Sequence, residues 1–538
     1  MATTSPGPGT PDDQADVVAF LDQGHAFERT RPTRIDTHCA SIFLVGDRAW
    51  KLKRAVRFGY LDFSTFDKRH AALEAELRLN RRTAPDLYLA LHPITREAGG
   101  RLAIDGAGDV VDWLLEMRRF PDDALLIHIA DHGQLDERLL MRLADHIGAF
   151  HSAAEADRAH AGAISFRRVI DGNIASMGAF PDILDPDKAK HLGDSLLQMT
   201  DDMAPLLDAR AREGRVRHGH GDLHLANIAL IDGEPTLFDC LEFSVELATI
   251  DVLYDLAFLL MDLWHRNLRT EANIVFNRYL DLSPADESGI GLLPLFLSVR
   301  AAIRAHVLAA QSLRAPEDRA LAQNARSYLE LALAMLVPAP PRLVAIGGLS
   351  GTGKSSLARR LGGAIGRAPG ARILRNDVLR KRLAGLSPEA RLPRGSYSAQ
   401  AAARVYETTD RMAASALALG QSVVADAVFA QRVERERIEA VGRQSGVPFD
   451  GLWLEAAATA RLSRVGTRGA DASDADVAVA QAQSQLEIGD LGSWHRVHAD
   501  GSLDEVAAVA CAKLGHRVID VAPLLDGTKS EDRFNAGG

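Results

Sequence analysis

Cysteine is scarce: Cys39, Cys240 and Cys511 are the only three in 538 residues. Three cannot build a disulfide framework, and no Cys-x-x-Cys spacing offers a zinc site. That usage suits a reducing cytosol, so a cytoplasmic protein is expected. Basic residues are outnumbered, with 62 Lys and Arg against 72 Asp and Glu and a net charge of −10. A general nucleic-acid binder relies on a basic surface, so nucleic acid is disfavoured as a partner. Long apolar runs are missing as well. A membrane helix needs about 18 such residues. The richest stretch, Ile250 to Leu263, is broken by Asp251, Asp255 and Asp262, and no membrane partner is expected. Residues 1–14 are rich in Pro, Gly and Thr and lack the basic-then-apolar order of a signal peptide. They read as a disordered tail, as do residues 526–538.

What is present falls into two patterns. The chain is 47% hydrophobic and 25% charged, and it is too long for one ordinary domain. Residues 15–30 read as a short helix. Ser41–Val45 and Ala49–Lys53, joined by Gly46-Asp47, read as a hairpin. Residues 65–82 read as a helix, and Val110–Phe120 as a strand leading into a hinge. From 135 the chain is mostly helical, interrupted by short strands at Ile228–Leu230 and Thr236–Phe238. Val337-Pro-Ala-Pro-Pro341 then reads as an extended linker. Beyond it, strands at Leu343–Ile346, Ile373–Leu374, Val423–Ala425, Leu452–Leu454 and Val518–Val521 alternate with helices. That alternation predicts a parallel sheet covered on both faces. The expected division is 15–336, a linker at 337–341, and 342–525.

The stretch His218-Gly-His-Gly-Asp-Leu-His-Leu-Ala-Asn227, followed by Leu237-Phe-Asp239, has a spacing suited to phosphoryl transfer. Asp222 can orient and deprotonate an acceptor hydroxyl. Asn227 and Asp239 are oxygen donors of the kind Mg2+ prefers. His224 can steady the transferring group. Such a site also needs a cation for nucleotide phosphates, held by a carboxylate on a helix. Lys51, after Ala49-Trp50, is the first candidate. Lys53 shares its strand face and is the second. Glu76 is the expected partner, with Glu74 as the alternative. No Gly-x-Gly-x-x-Gly covers the phosphates, and Thr37 to Ser41 can serve through hydroxyls and amides.

A second nucleotide motif follows the linker. Gly348-Leu-Ser-Gly-Thr-Gly-Lys-Ser355 is a complete P-loop between a strand and a helix expected over Ser356–Ile365. Gly348, Ser350, Gly351, Thr352, Gly353, Lys354, Ser355 and Ser356 would surround the phosphates, with backbone N–H groups at the helix start. Lys354 would reach the β- and γ-phosphates and take part in transfer. The Ser355 hydroxyl would bind Mg2+, and Asp426, ending an apolar strand, offers a second metal-organising carboxylate. Asp377, in Arg375-Asn-Asp-Val-Leu-Arg380, can activate an acceptor hydroxyl, with Arg380 on the acceptor. Arg461, Arg464 and Arg468 share a helix face beside Asp471-Ala-Ser-Asp474. A lid laying arginines over transferring phosphates has this pattern.

On His220-Gly-Asp-Leu-His-Leu-Ala-Asn227, Leu237-Phe-Asp239 and Asp251-Val-Leu-Tyr-Asp-Leu-Ala257, residues 35–335 resemble the aminoglycoside phosphotransferase family. These are relatives of protein kinases with a two-lobed α+β fold. The resemblance implies Asp222 as catalytic base, Asn227 and Asp239 as metal ligands, Lys51 as the phosphate lysine, and Asp251 and Asp255 as braces. Residues 342–522 resemble P-loop small-molecule kinases of the gluconate, adenylylsulfate, polynucleotide 5′-kinase and zeta-toxin group, with an α/β fold. The carriers are the P-loop, Asn376-Asp377-x-x-Arg380, Asp426 and the arginine-rich segment. Together the halves resemble a bacterial arrangement labelled bifunctional aminoglycoside phosphotransferase/ATP-binding protein. Thr37-His38, Leu61-Asp-Phe-Ser-Thr65, Asn80-Arg-Arg82 and Asp471-Ala-Ser-Asp-Ala475 also fit it. ATP and Mg2+ as cofactors, and small-molecule hydroxyl acceptors, are what the resemblance implies. Two other readings stand beside it. One domain could be a nucleotide-binding regulator of the other, or the chain could hold a polynucleotide 5′-kinase or a protein kinase. The basic patch Arg375, Arg380, Lys381 and Arg382 has no interleaved aromatics of the kind that stack bases.

Overall fold

The computed structural model describes residues 14–515, apart from 38, 59–60, 160–161, 393–397, 467–472 and 475–476. The chain divides into two units. One comprises Met1–Arg142, Ala149–His160 and Ala211–Asp255; the other comprises Leu143–Gly148, Ala161–Arg210 and Leu256–Gly538.

The first unit is built on an antiparallel sheet of six strands. Their order is Thr33–Asp36, Ala40–Val45, Arg48–Lys53, Asp109–Arg118, Tyr88–Arg96 and Leu102–Ile104. Strand alternation gives the sheet two faces. Phe43, Leu52, Ile94 and Leu114 pack on one side with Val17, Phe20 and Leu21 of the helix Ala15–Asp22. Lys51 and Lys53 alternate with Leu52 and so face the other side. There the helix Phe66–Asn80 packs Leu73 beside Leu115. Asp67 in its first turn and Arg78 in its last complement the helix dipole. The strands Tyr88–Arg96 and Leu102–Ile104 are not announced by the sequence. Pro93 sits inside the first, and register shifts at Tyr88/Ala90 and Ile94/Thr95 break its alternation. Further on, Ile228–Ile231 pairs with Glu234–Leu237 through Asp232 and Gly233. Both turn residues take positive φ, 53° and 84°, as the tight hairpin turn requires. Val216–His218 pairs with Thr249–Asp251. Residues 219–227 are thus strung between two strand pairs.

The second unit holds a parallel sheet of five strands. Their order is Arg372–Arg375, Val423–Asp426, Leu343–Gly348, Phe449–Glu455 and His495–His498. Leu357, Leu361, Val506 and Ala510 cover one face; Ala413, Leu417, Ile438 and Val441 cover the other. The strand that feeds the P-loop is central, with neighbours on both sides. In such sheets ligands gather at the carboxyl end of this switch point. Four strands stand where the sequence places them. The fifth is His495–His498, and Val518–Val521 lies outside the described residues. Among the described residues one helical stretch, Pro284–Ser312, is long and apolar enough to cross a membrane, with mean hydropathy 1.5. In the fold 78% of the apolar window is buried, and Leu293–Ser312 is a core helix.

The second unit runs across the prolyl segment at 337–341 and is not divided there. The reason is a buried polar seam. Arg372–Arg375 is the edge strand, and Asn277 of the helix Arg269–Leu282 takes the place of a neighbouring strand. Its Oδ1 accepts from the Ile373 N–H at 2.7 Å, and its Nδ2 donates to the Ala371 carbonyl at 3.0 Å. Asn273 Nδ2 donates to the Pro369 and Ala371 carbonyls at 3.0 and 2.9 Å. Arg372, fully buried, donates to Glu287 at 2.7 Å and to Asp281 at 2.8 Å. The change in sequence pattern marks a new fold, while the seam fastens the preceding helices to its sheet. Arg372→Met would leave Glu287 and Asp281 without their buried counter-charge. The expected cost is about 3 kcal/mol, since breaking such a pair is far more costly than never having it. Urea unfolding of the full chain measures it, and a change below about 1 kcal/mol would demote the seam to ordinary surface pairing.

Candidate functional site

Glu76, fully buried, meets both lysines of the strand Arg48–Lys53. Lys51 Nζ lies 2.6 Å from its Oε1, and Lys53 Nζ 2.7 Å from its Oε2. The lysines then diverge. Lys51 reaches Asp239 Oδ1 at 2.8 Å, and Lys53 reaches Glu242 Oε1 at 2.5 Å. Glu74, the alternative partner, is exposed and faces His70. Burial pulls the Lys51 pKa down, but the carboxylates of Asp239 and Glu76 outweigh it and hold the ammonium well above its ordinary value. Lys53 is raised in the same way, burial being offset by Glu242 and Glu76. Burial pushes the Asp239 carboxyl up, and Lys51 more than offsets that, leaving it below the usual carboxylate range. Asp239 is therefore a firm anion, and its side chain keeps 41% exposure. Its backbone sits at φ +60°, a left-handed position that Asp tolerates better than most. Hydrogen bonds from its N–H to Tyr88 Oη (3.1 Å) and from the Cys240 N–H to Asn80 Oδ1 (2.8 Å) hold it there.

The loop 219–227 is braced from below by Asp255. This buried carboxylate accepts from the His220 N–H at 2.6 Å and the Gly221 N–H at 3.0 Å, and His151 Nε2 lies 3.2 Å away. A Cβ on Gly219 would fall 2.5 Å from Asp255 Oδ2, so only glycine lets the carboxylate come this close. Asp251, by contrast, accepts from the Leu253 N–H at the start of the next helix. Asn227 Nδ2 donates to both the carbonyl and the Oδ2 of Asp222, each at 2.9 Å, and His224 Nε2 is 3.4 Å from that Oδ2. The Phe238 N–H donates to the Asn227 carbonyl at 3.0 Å, which sets Asp239 beside the same loop. Asp222, His224, Asn227, Asp239, Lys51, Lys53 and Glu76 are thus brought together. Tyr88, Asn80, His151 and Glu242 join them without a site role having been foreseen. Two of them had a signal: Asn80 in the segment Asn80-Arg-Arg82, and Glu242 in its place three residues after Asp239.

Asn227 and Asp239 supply an amide and a carboxylate oxygen. Among the described residues no group of three or more His, Cys, Asp or Glu is arranged to hold a metal ion. Two hard oxygen donors nevertheless suit Mg2+, which keeps waters and takes its remaining ligands from substrate phosphates.

In the second unit, the helix Lys354–Gly362 starts from Gly353 at φ +93°. A Cβ on Gly351 (φ +86°) would fall 2.5 Å from the Arg461 carbonyl. Ser355 Oγ donates to Asp426 Oδ2 at 2.5 Å, joining the P-loop to the adjacent strand end, and Arg375 Nε lies 3.6 Å from the same oxygen. Ser355 and Asp426 form a second pair of hard donors. Lys354 Nζ donates to the Leu349 carbonyl at 3.1 Å, and the Ser350 N–H donates to Gln483 Oε1 at 2.7 Å. Thr352 Oγ1 closes on the Leu349 carbonyl, while Ser356 is exposed. Asp377 stands on the helix Asn376–Leu383, 3.5 Å from Arg380 Nη1. The arginines expected in a lid are placed differently. Arg464 Nη1 donates to the Ala499 carbonyl at 2.8 Å, and Arg461 is buried, its Nη2 donating to Ser484 Oγ at 2.6 Å. On their helix, Ala458–Gly466, Arg461 is buried while Arg464 is half-buried, and each donates to a neighbouring segment. Arg468 and Asp471 lie outside the described residues.

Asp255→Asn turns one acceptor of the brace into a donor facing a backbone N–H. A loss of about 2 kcal/mol is expected, the worth of a hydrogen bond to a charged group. Urea unfolding reads it, and an unchanged midpoint would show that the loop stands without its brace.

Residues 343–487 match a family described as an AAA domain. An uncharacterized protein of Mycobacterium tuberculosis is 29% identical over 476 residues, which span 87% of this chain and 92% of the relative. A protein of Mycobacterium bovis matches to the same extent. Among solved structures, a choline/ethanolamine kinase family protein from Mesorhizobium loti is 12% identical with a TM-score of 0.37, over 60% of this chain and 94% of its own. The Mycobacterium tuberculosis APS kinase in complex with AMPPNP and APS is 21% identical with a TM-score of 0.23, over 33% of this chain and 99% of its own.

Proposed function

We propose that the chain is an ATP-dependent phosphotransferase with two sites, each moving the γ-phosphoryl group of ATP to a hydroxyl of a small molecule in the cytoplasm. The observation that carries this reading is Lys51, pinned 2.6 Å from buried Glu76 and 2.8 Å from Asp239. A permanently charged cation beside an open carboxylate is what positioning of a nucleotide phosphate requires. Lys51 takes the phosphate role and Lys53 does not, because the Lys53 side chain is 1% exposed and enclosed by Glu76 and Glu242. Asp222 receives the acceptor proton, held in orientation by Asn227 Nδ2. The acceptor oxygen bonds to phosphorus as the β–γ bridging bond breaks and ADP leaves. Mg2+, held by Asn227 and Asp239 at one site and by Ser355 and Asp426 at the other, would neutralise phosphate charge. In the second site the P-loop N–H groups and Lys354 bind the phosphates, Asp377 takes the acceptor proton, and Arg380 orients the acceptor.

ATP consumption by the full chain against a metabolite library tests this, using Asp222→Ala, Lys354→Ala and the double variant. Each single change should lower turnover of its own acceptor about 100-fold or more and leave the other acceptor's turnover in place. The double variant should consume no ATP. Loss of all turnover in either single variant would exclude two independent sites.

A further inference from the structure

Five alternating charges run in a row through the first unit: Asp239, Lys51, Glu76, Lys53 and Glu242. Their contacts are 2.8, 2.6, 2.7 and 2.5 Å. The two ends differ. Asp239 keeps 41% of its side-chain exposure, whereas Glu242 keeps 9% and Lys53 1%. Lys53 also lies over the Phe63 ring, 5.1 Å from its centroid, which closes it from water further. Lys51 has somewhere to go when a phosphate arrives; Lys53 does not. Glu242 and Asp239 belong to one short segment, Asp239-Cys-Leu-Glu242, so whatever holds Glu242 also limits where Asp239 can stand. The segment needs holding, because Asp239 sits at φ +60° and is otherwise fixed by backbone bonds to Tyr88 and Asn80.

We propose that Glu242 and Lys53 are a positioning pair: their enclosed ion pair ties the segment bearing Asp239 to the strand bearing Lys51. The metal-ligand carboxylate and the phosphate lysine then keep their spacing even after Lys51 turns from Asp239 to a phosphate. Glu76 serves both lysines and divides the labour between them. Lys51 is the exchangeable partner, and Lys53 is the fixed one. This rests on the reading of Asp239 as a metal ligand.

The test is nucleotide binding by the full chain with Mg2+ titrated in, in a Lys354→Ala background that weakens the P-loop site. Asp239→Asn in that background shows how much of the Mg2+ dependence belongs to the first site. Glu242→Gln should raise the Mg2+ concentration for half-maximal binding about tenfold, as loss of a residue behind a metal ligand does. Binding without Mg2+ should stay within about twofold of the background chain, which a merely loosened fold would not allow. Where Glu242→Gln does not yield folded protein, Glu242→Asp, one methylene too short to span to Lys53, carries the same expectation. If Asp239→Asn shifts the Mg2+ dependence and the folded Glu242 variant does not, the positioning role is wrong. If Asp239→Asn shifts nothing, it is the metal-ligand reading that falls, and the pair's proposed role with it.

Discussion

Taking a carboxylate out of water is costly unless opposite charges meet it, and Glu76 is fully buried. It is ion-paired with two ammonium groups at once, one beside each oxygen. That arrangement fixes the strand Arg48–Lys53 against the helix Phe66–Asn80 more narrowly than the apolar contacts around it could. Desolvating each of these groups costs several kcal/mol, recovered only when every partner is in place. The charges therefore contribute geometry more than stability. They hold Asp239 and Lys51 at hydrogen-bond distance on the open side of a closed cluster.

The P-loop unit solves the same problem differently. It collects phosphate-binding capacity from the backbone, with glycines at positive φ turning N–H groups inward at a helix start. Few side-chain charges are needed, and Ser355 with Asp426 provides a short polar contact between loop and neighbouring strand. One unit places charges through a sheet and a helix; the other places dipoles through a turn.

How much of this could be read from the sequence depends on distance along the chain. Asp222 to Asn227 and Gly348 to Ser355 are local, so spacing alone identifies them. Lys51 and Lys53 could not be told apart, because strand alternation puts both on the same face. What separates them is what each meets from the segment 239–242, far along the chain. Tyr88–Arg96 was hidden by Pro93 and two register shifts. His495–His498 escaped because only Val497 on it is buried, whereas Val518–Val521 is the more apolar run. The arginine face of Ala458–Gly466 was correctly periodic, but periodicity does not say which way a face points. Arg461 turned inward, and Arg464, half-buried, bonds the Ala499 carbonyl. The linker at 337–341 is plain in composition, yet packing ignores it, because Asn273, Asn277 and Arg372 bind across sequence distances that no local pattern shows.

The amide of Asn277 has a consequence for the margin of the parallel sheet. A sheet edge is normally a row of vacant donors and acceptors, open to any extended segment that drifts past. Here one side chain fills a donor and an acceptor on the edge strand, and a helix stands where an intruding strand would lie. The seal is supplied by residues that precede the linker. A chain severed at the prolines would carry its P-loop sheet away with that margin bare and with a guanidinium and its carboxylates parted. Its natural fate would be strand-to-strand pairing with its own copies. The helices before the linker thus act toward the following sheet as an intramolecular chaperone that never leaves.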